Sequence, residues 1–239
     1  MRVSGRILAG VVGLFALVSC STETAERRNT SRTFDTVVVD AGHGGKDSGA
    51  YRRSGPPEKT VTLDVAQRLN RKLRESQFHT VMTRSSDVFI PLDERVAIGN
   101  RQANAVFVSI HFNDSRGRGI HGYETYYNSS YAQSLEQRIQ RKLLSMPGAS
   151  NRGVRSANYR VLRKAVYPSV LVECGFLSNR REGGEARSAG YRELLADKIS
   201  EAIVEERYGA GVYNAPPRLG PPVAGELTPA GAVPAGSGR

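Results

Sequence analysis

Two cysteines in 239 residues rule out a disulfide framework, and four histidines leave few ways to build an imidazole-based site. Cys20 closes an N-terminal apolar run, so Cys174 has no partner and the fold must hold without cross-links. A Cys-rich structural zinc site is excluded for the same reason. Long apolar runs are missing as well. The stretch from Ile7 to Val18 is too short for a permanent membrane span. Acidic residues are scarce, with 23 Asp and Glu against 34 Lys and Arg, for a formal charge of +11. No internal repeat is present.

Arg2 and Arg6 ahead of the apolar run, with small residues behind it, mark residues 1–19 as a signal peptide. Leu17-Val18-Ser19-Cys20 resembles the lipobox of bacterial lipoproteins, in which the Cys is lipidated and becomes the first residue. The expectation is an exported protein anchored by lipid on Cys20 and facing the periplasm. The outer membrane is favoured because Ser21 stands where an Asp would favour inner-membrane retention. Residues 20–32 are polar and aperiodic and read as a tether. Residues 33–208 can bury the core of one domain. Residues 209–239, rich in Gly, Pro and Ala, read as a disordered tail. Loss of Arg2 and Arg6 still leaves a strongly basic chain, which suits an anionic partner. For an exported protein such a partner would be a cell-wall polymer with peptide carboxylates or an anionic membrane surface, not nucleic acid; the alternative is ordinary solvated surface charge.

Between tether and tail the pattern alternates. Thr36–Asp40 is a β-branched strand, and Val61, Val65, Leu69 and Leu73 recur every four residues after Pro56-Pro57 as one face of a helix. Strands are expected at Thr80–Thr83, Ala105–Ile110, Gly122–Tyr127, Tyr159–Leu162 and Ser169–Glu173. Helices are expected at Leu92–Asn104, Tyr131–Leu144 and Tyr191–Tyr208. This alternation predicts the α/β class, a mostly parallel sheet with helices on both faces.

Ligands of open α/β sheets bind beyond the carboxyl ends of the strands. His43 follows the first strand, His111 follows AVFVSI, and Glu173 closes PSVLVE. Glu58 opens the first helix and reaches the same edge if the Gly44–Gly55 loop folds back. Three of these four are zinc donors with one position left for water, and the fourth suits proton transfer. Asn113 shares His111's side of the strand and either orients substrate or caps the loop. Asp40 is a candidate partner for His43, with turn capping as the alternative. Arg84 and Arg95 are candidates for substrate carboxylates or for ion pairs with Asp87 or Asp93. Glu124 is a rival carboxylate, expected at the surface or in support of the site. Cys174 must face away from Glu173, which argues against a thiol nucleophile. GHGGKDSG lacks the residues of a nucleotide cradle. His79 and His121 are not expected to be ligands.

AGHGG, the helix led by Glu58-Lys59, Thr83-Arg84, Arg95 to Asn100, SIHFN and VECGFLSN, taken in order, resemble the zinc-dependent N-acetylmuramoyl-L-alanine amidases of the Amidase_3 type. The resemblance covers roughly residues 36–207. It implies a three-layer α/β/α sandwich on a twisted mixed sheet. It implies that His43, Glu58 and His111 bind Zn2+, with Glu173 as the catalytic acid/base. It also implies peptidoglycan as substrate, cut between N-acetylmuramic acid and L-alanine. Some members carry a helical insertion that blocks the zinc until an activator removes it. The 60-odd residues from His111 to Glu173 leave no room for one, so no obligate protein activator is expected. The competing readings are a zinc peptidase of stem peptides and a non-catalytic peptidoglycan-binding lipoprotein.

Overall fold

The structure, a computed structural model, describes residues 26–51 and 56–211. The signal peptide, Cys20 with the first part of the tether, and the tail from residue 212 onward lie outside the described residues. Six strands form one sheet: β1 (Thr36–Ala41), β2 (His79–Met82), β3 (Ala105–Asn113), β4 (Tyr123–Tyr127), β5 (Asn151–Ser156) and β6 (Ser169–Phe176). Their spatial order is β2-β1-β3-β6-β4-β5. All neighbours are parallel except β4 against β6, so the sheet is mixed and mostly parallel.

The helices are α1 (Glu58–Glu75), α2 (Leu92–Asn100), α3 (Gln133–Leu143), α4 (Arg160–Arg163), α5 (Arg180–Glu185) and α6 (Ala189–Tyr208). The period-2 alternation of the strands sorts residues between the faces. Val37, Val39, Val106, Val108, Ile110, Val170 and Val172 enter the large core under α1, α3 and α6. Val38, Phe107 and Leu171 enter a smaller core under α2 and α4. Asp40, Ser109, His111 and Glu173 keep the phase of this second set. The thinner helical cover there leaves the sheet open beyond the ends of β1, β3 and β6.

The first helix follows the sequence reading closely. Val61, Val65, Leu69 and Leu73 are buried on one face, and Pro57 sits at its N-cap in an extended conformation. The expected strand at Tyr159–Leu162 is instead the short helix α4, with Tyr159 as its N-cap. The reason lies in Val161 and Leu162, which are both buried in the same core; consecutive strand residues would face opposite ways. The fifth strand, NRGVRS, lies eight residues upstream of that segment. It has the charged composition of a protected edge and no apolar alternation.

Residues 26–32, expected as part of the tether, lie against the domain. Arg28 N–H donates to Val166 O (2.7 Å), Thr30 Oγ1 to Ala105 O (2.5 Å) and the Arg27 guanidinium to Asn128 Oδ1 (2.6 Å).

Candidate active site

The chain leaves β1 through Gly42 and His43. A Cβ at Gly42 would lie 2.4 Å from His111 Cε1, so only glycine lets the two strand ends present their imidazoles side by side. His43 itself has φ 61°, the left-handed region that strained functional residues often occupy. The following loop folds back as far as it is described, with Glu58 N–H donating to Ala50 O (2.8 Å) and Lys59 N–H to Ser48 O (3.2 Å). A Cβ on Gly49 would lie 2.5 Å from Glu58 Oε2 and 2.6 Å from His43 Cδ2. That glycine is what allows the loop to close over both groups.

Glu58 opens α1, where the helix dipole favours a carboxylate. Its Oε2 accepts from Ala50 N–H (2.8 Å) and its Oε1 from Phe112 N–H (2.9 Å). The same Oε1 lies 3.1 Å from His43 Nε2 and 3.1 Å from His111 Nδ1. The imidazoles meet edge to face with centroids 4.9 Å apart. One ligand atom from each of the three residues lies within 4.8 Å of the others. His43 Nδ1 is 2.9 Å from Asp47 Oδ2. With a metal bound, a carboxylate there would hold the proton on Nδ1 and leave the Nε2 lone pair facing inward, the arrangement that orients metal-bound histidines.

Burial alone would lower both imidazoles, but the Glu58 carboxylate reverses this. With help from Asp47, His43 is raised to about 8. Burial would raise Glu58, and the hydrogen bonds to His111 and His43 hold it well below the usual carboxylate range instead. Two imidazoles thus converge on one buried anion, a donor set that suits a divalent cation of the zinc type.

Glu173 stands opposite His111 in the β3–β6 register. Its Oε2 is buried with no hydrogen-bond partner among the described residues. Burial pushes its carboxyl up to about 7; His111 opposes the rise, and Glu58 and Glu124 add to it. A carboxyl poised near neutrality can both take and give a proton. His43, His111 and Glu173 line a cleft of about 520 Å³ whose wall includes Phe89, Leu92 and Tyr159.

Other sequence-predicted residues fall elsewhere. Asp40 does not reach His43. It is buried, accepting from Arg95 (2.8 Å), Thr83 Oγ1 (2.6 Å) and Ser109 Oγ (2.6 Å). Burial works against its charge, and Arg95 with these hydroxyls holds the carboxyl below its usual value. Arg95 in turn donates to Ala41 O (2.6 Å) and His43 O (2.6 Å), so the pair props the strand end from beneath. Asp40→Ala is expected to cost about 3–5 kcal/mol in chemical denaturation because it strands the Arg95 charge. A cost under about 1 kcal/mol would mean that the pair does not anchor the site.

Arg84 is no substrate arm. It is 3% exposed, and it is spent on Ala41 O, Gly42 O, Lys59 O and Ser86 O. Asp87 pairs with Lys59 and Asp93 with Arg160 and Lys164. Asn113 turns to the loop-capping alternative, with Oδ1 accepting from Asp114 N–H (2.8 Å) and Nδ2 donating to Glu124 Oε2 (3.4 Å). Glu124 is buried beside Glu173 in the β4–β6 register and pairs with Arg155 (3.1 Å), so it supports the site. Cys174 is buried on the opposite face, and His121 and His79 are exposed. Asp47 is the residue that the sequence reading missed. A carboxylate four residues after a histidine in a glycine-rich loop was the signal that could have found it.

Residues 37–205 match the family model described as N-acetylmuramoyl-L-alanine amidase. The N-acetylmuramoyl-L-alanine amidase LytC of Bacillus subtilis is 37% identical over 191 residues; the alignment takes in 77% of this chain and 38% of LytC, so the chain spans well under half of that relative. Among solved structures, N-acetylmuramoyl-L-alanine amidase AmiC2 of Nostoc punctiforme superposes with a TM-score of 0.68 at 38% identity, covering 71% of this chain and 95% of that one. CwlD amidase from Clostridioides difficile, solved in complex with the GerS lipoprotein, gives 0.67 at 29% identity, covering 72% and 98%.

Proposed function

This chain belongs to the Amidase_3 family, the N-acetylmuramoyl-L-alanine amidases, and from that premise we propose that it hydrolyses the amide between N-acetylmuramic acid and the L-alanine of peptidoglycan stem peptides. The observation that carries the reading is the single Glu58 oxygen 3.1 Å from both imidazoles, with the unpartnered Glu173 carboxyl beside them. His43 Nε2, Glu58 and His111 Nδ1 would hold the ion, and the mixed nitrogen and oxygen donor set favours zinc. When bound, zinc supplies Lewis acidity, polarising the scissile carbonyl and making water acidic.

The remaining steps fall to the chain's own groups. Glu173 takes the proton of the attacking water and delivers it to the departing alanine nitrogen. Its burial keeps the carboxyl ready for both halves of that transfer. Asp47 fixes the His43 tautomer. Asp47→Asn is expected to weaken zinc binding by about 10- to 100-fold, with rates recovering at saturating zinc. Competition titration against a metal indicator checks this, and an unchanged affinity would remove Asp47 from the site.

The anchoring and the absence of an activator belong to the same proposal. Leu17 to Cys20 supports a lipid-anchored, periplasm-facing protein. Cys20→Ser is expected to move the protein from the membrane fraction to the soluble one; an unchanged membrane fraction would exclude the anchor. The short segment between His111 and Glu173 supports activity without a helper. The zinc-loaded full chain alone is expected to turn over purified peptidoglycan, and activity that arises only after an envelope extract is added would contradict this.

A further inference from the structure

Resting on that reading, we propose that a second groove, beyond the carboxyl ends of β3 and β6, holds the peptide arm of the substrate and reads its free carboxylates through arginine. The groove has a volume of about 990 Å³ and runs between the segment 115–118 after β3 and the segment 177–187 after β6. Arg116, Arg118, Arg180 and Arg187 line it, and all four are exposed. No carboxylate among the described residues pairs with any of them. Their neighbour Arg181, by contrast, is taken by Glu182 and Glu185.

The groove's lining is joined to the metal ligands along the chain. Tyr51 at its edge follows Ala50, whose N–H donates to Glu58. Arg116 is five residues past His111. The cleft on the other side of the site offers no comparable charge, because Arg95 is neutralised by Asp40 and Arg160 by Asp93. Its walls are apolar, with Phe89, Leu92 and Tyr159 partly exposed.

The bond to be cut divides the substrate into unlike halves. N-acetylated sugars are uncharged, whereas the stem peptide carries carboxylates. Guanidinium forks match carboxylates bidentately, and four uncompensated cations in one concavity make a strongly attractive site for an anion. The charged arm therefore lies in the arginine groove and the sugar arm over the apolar wall. The scissile amide is then held between them at the zinc ligands and Glu173.

The test uses the zinc-loaded full chain and two muropeptides that differ only in whether the peptide carboxylates are free or amidated. The free acid is expected to be preferred by about tenfold or more in kcat/KM, mostly through KM. The double variant Arg116→Gln/Arg180→Gln is expected to bring that preference towards one, as is added salt. Equal kcat/KM for the two substrates in the unmodified enzyme overturns the proposal, and so does a preference that survives in the double variant. If the variant instead loses only its retention on phosphatidylglycerol vesicles, the groove is a membrane contact and the proposal fails. No turnover of either substrate by zinc-loaded enzyme overturns the amidase reading itself.

Discussion

Glu173→Gln is expected to keep its zinc and to lose about 100- to 10,000-fold in kcat on peptidoglycan. The amide fills nearly the same space at the end of β6, so the imidazoles and Glu58 stay in place. It cannot accept a proton, and so the proton path from water to the alanine nitrogen is cut. The same substitution should have an opposite effect on stability. Glu173 sits at about 7 in the folded protein against an ordinary 4.5. Between those values the folded state holds a proton that the unfolded chain has released, so stability falls as pH rises through this window and is level above it. Glu173→Gln is therefore expected to raise the Tm of the metal-free protein above pH ~7 and to leave it unchanged below pH ~4. A variant that is inactive and also unfolded would show that Glu173 serves packing.

His111→Ala should be more severe, because it removes a ligand and leaves Glu58 buried with one imidazole. Bound zinc is expected to fall from one equivalent to near none, and turnover to background. Adding zinc back should restore the chelated parent protein but not the variant. Because zinc binds the folded state, the parent's Tm is expected to rise with zinc concentration while that of His111→Ala does not. Retention of a full zinc equivalent by His111→Ala would place the metal elsewhere.

The parts of this molecule that were legible in its sequence are those governed by period and by strand ends. Thr36–Asp40, AVFVSI and PSVLVE read as buried strands because their apolar runs face two cores, and α1 reads as a helix because its valines and leucines recur every four residues. His43, His111 and Glu173 were expected together because three strand ends of a parallel sheet share one edge, and Glu58 because the loop ahead of α1 was expected to fold back onto it. The structure brings all four together.

What escaped was set by partners far away in the chain. Asp40 points to the correct face, but whether it meets His43 or Arg95 depends on how α2 crosses that face, which no local pattern encodes. Arg84 carries the same ambiguity, being equally suited to a substrate carboxylate or to four backbone carbonyls. β5 escaped because an edge strand needs no apolar alternation. Asp47 escaped because its role depends on the loop doubling back, and the glycines that permit this also resemble those of an ordinary turn.

The most direct measurement is mass spectrometry of purified peptidoglycan digested by the zinc-loaded full chain, repeated after chelation and again after zinc is restored. The account predicts released stem peptides with free L-alanine amino termini, lost on chelation and regained with zinc. Fragments cut within the stem peptide, or the same release with the chelator present, would contradict it.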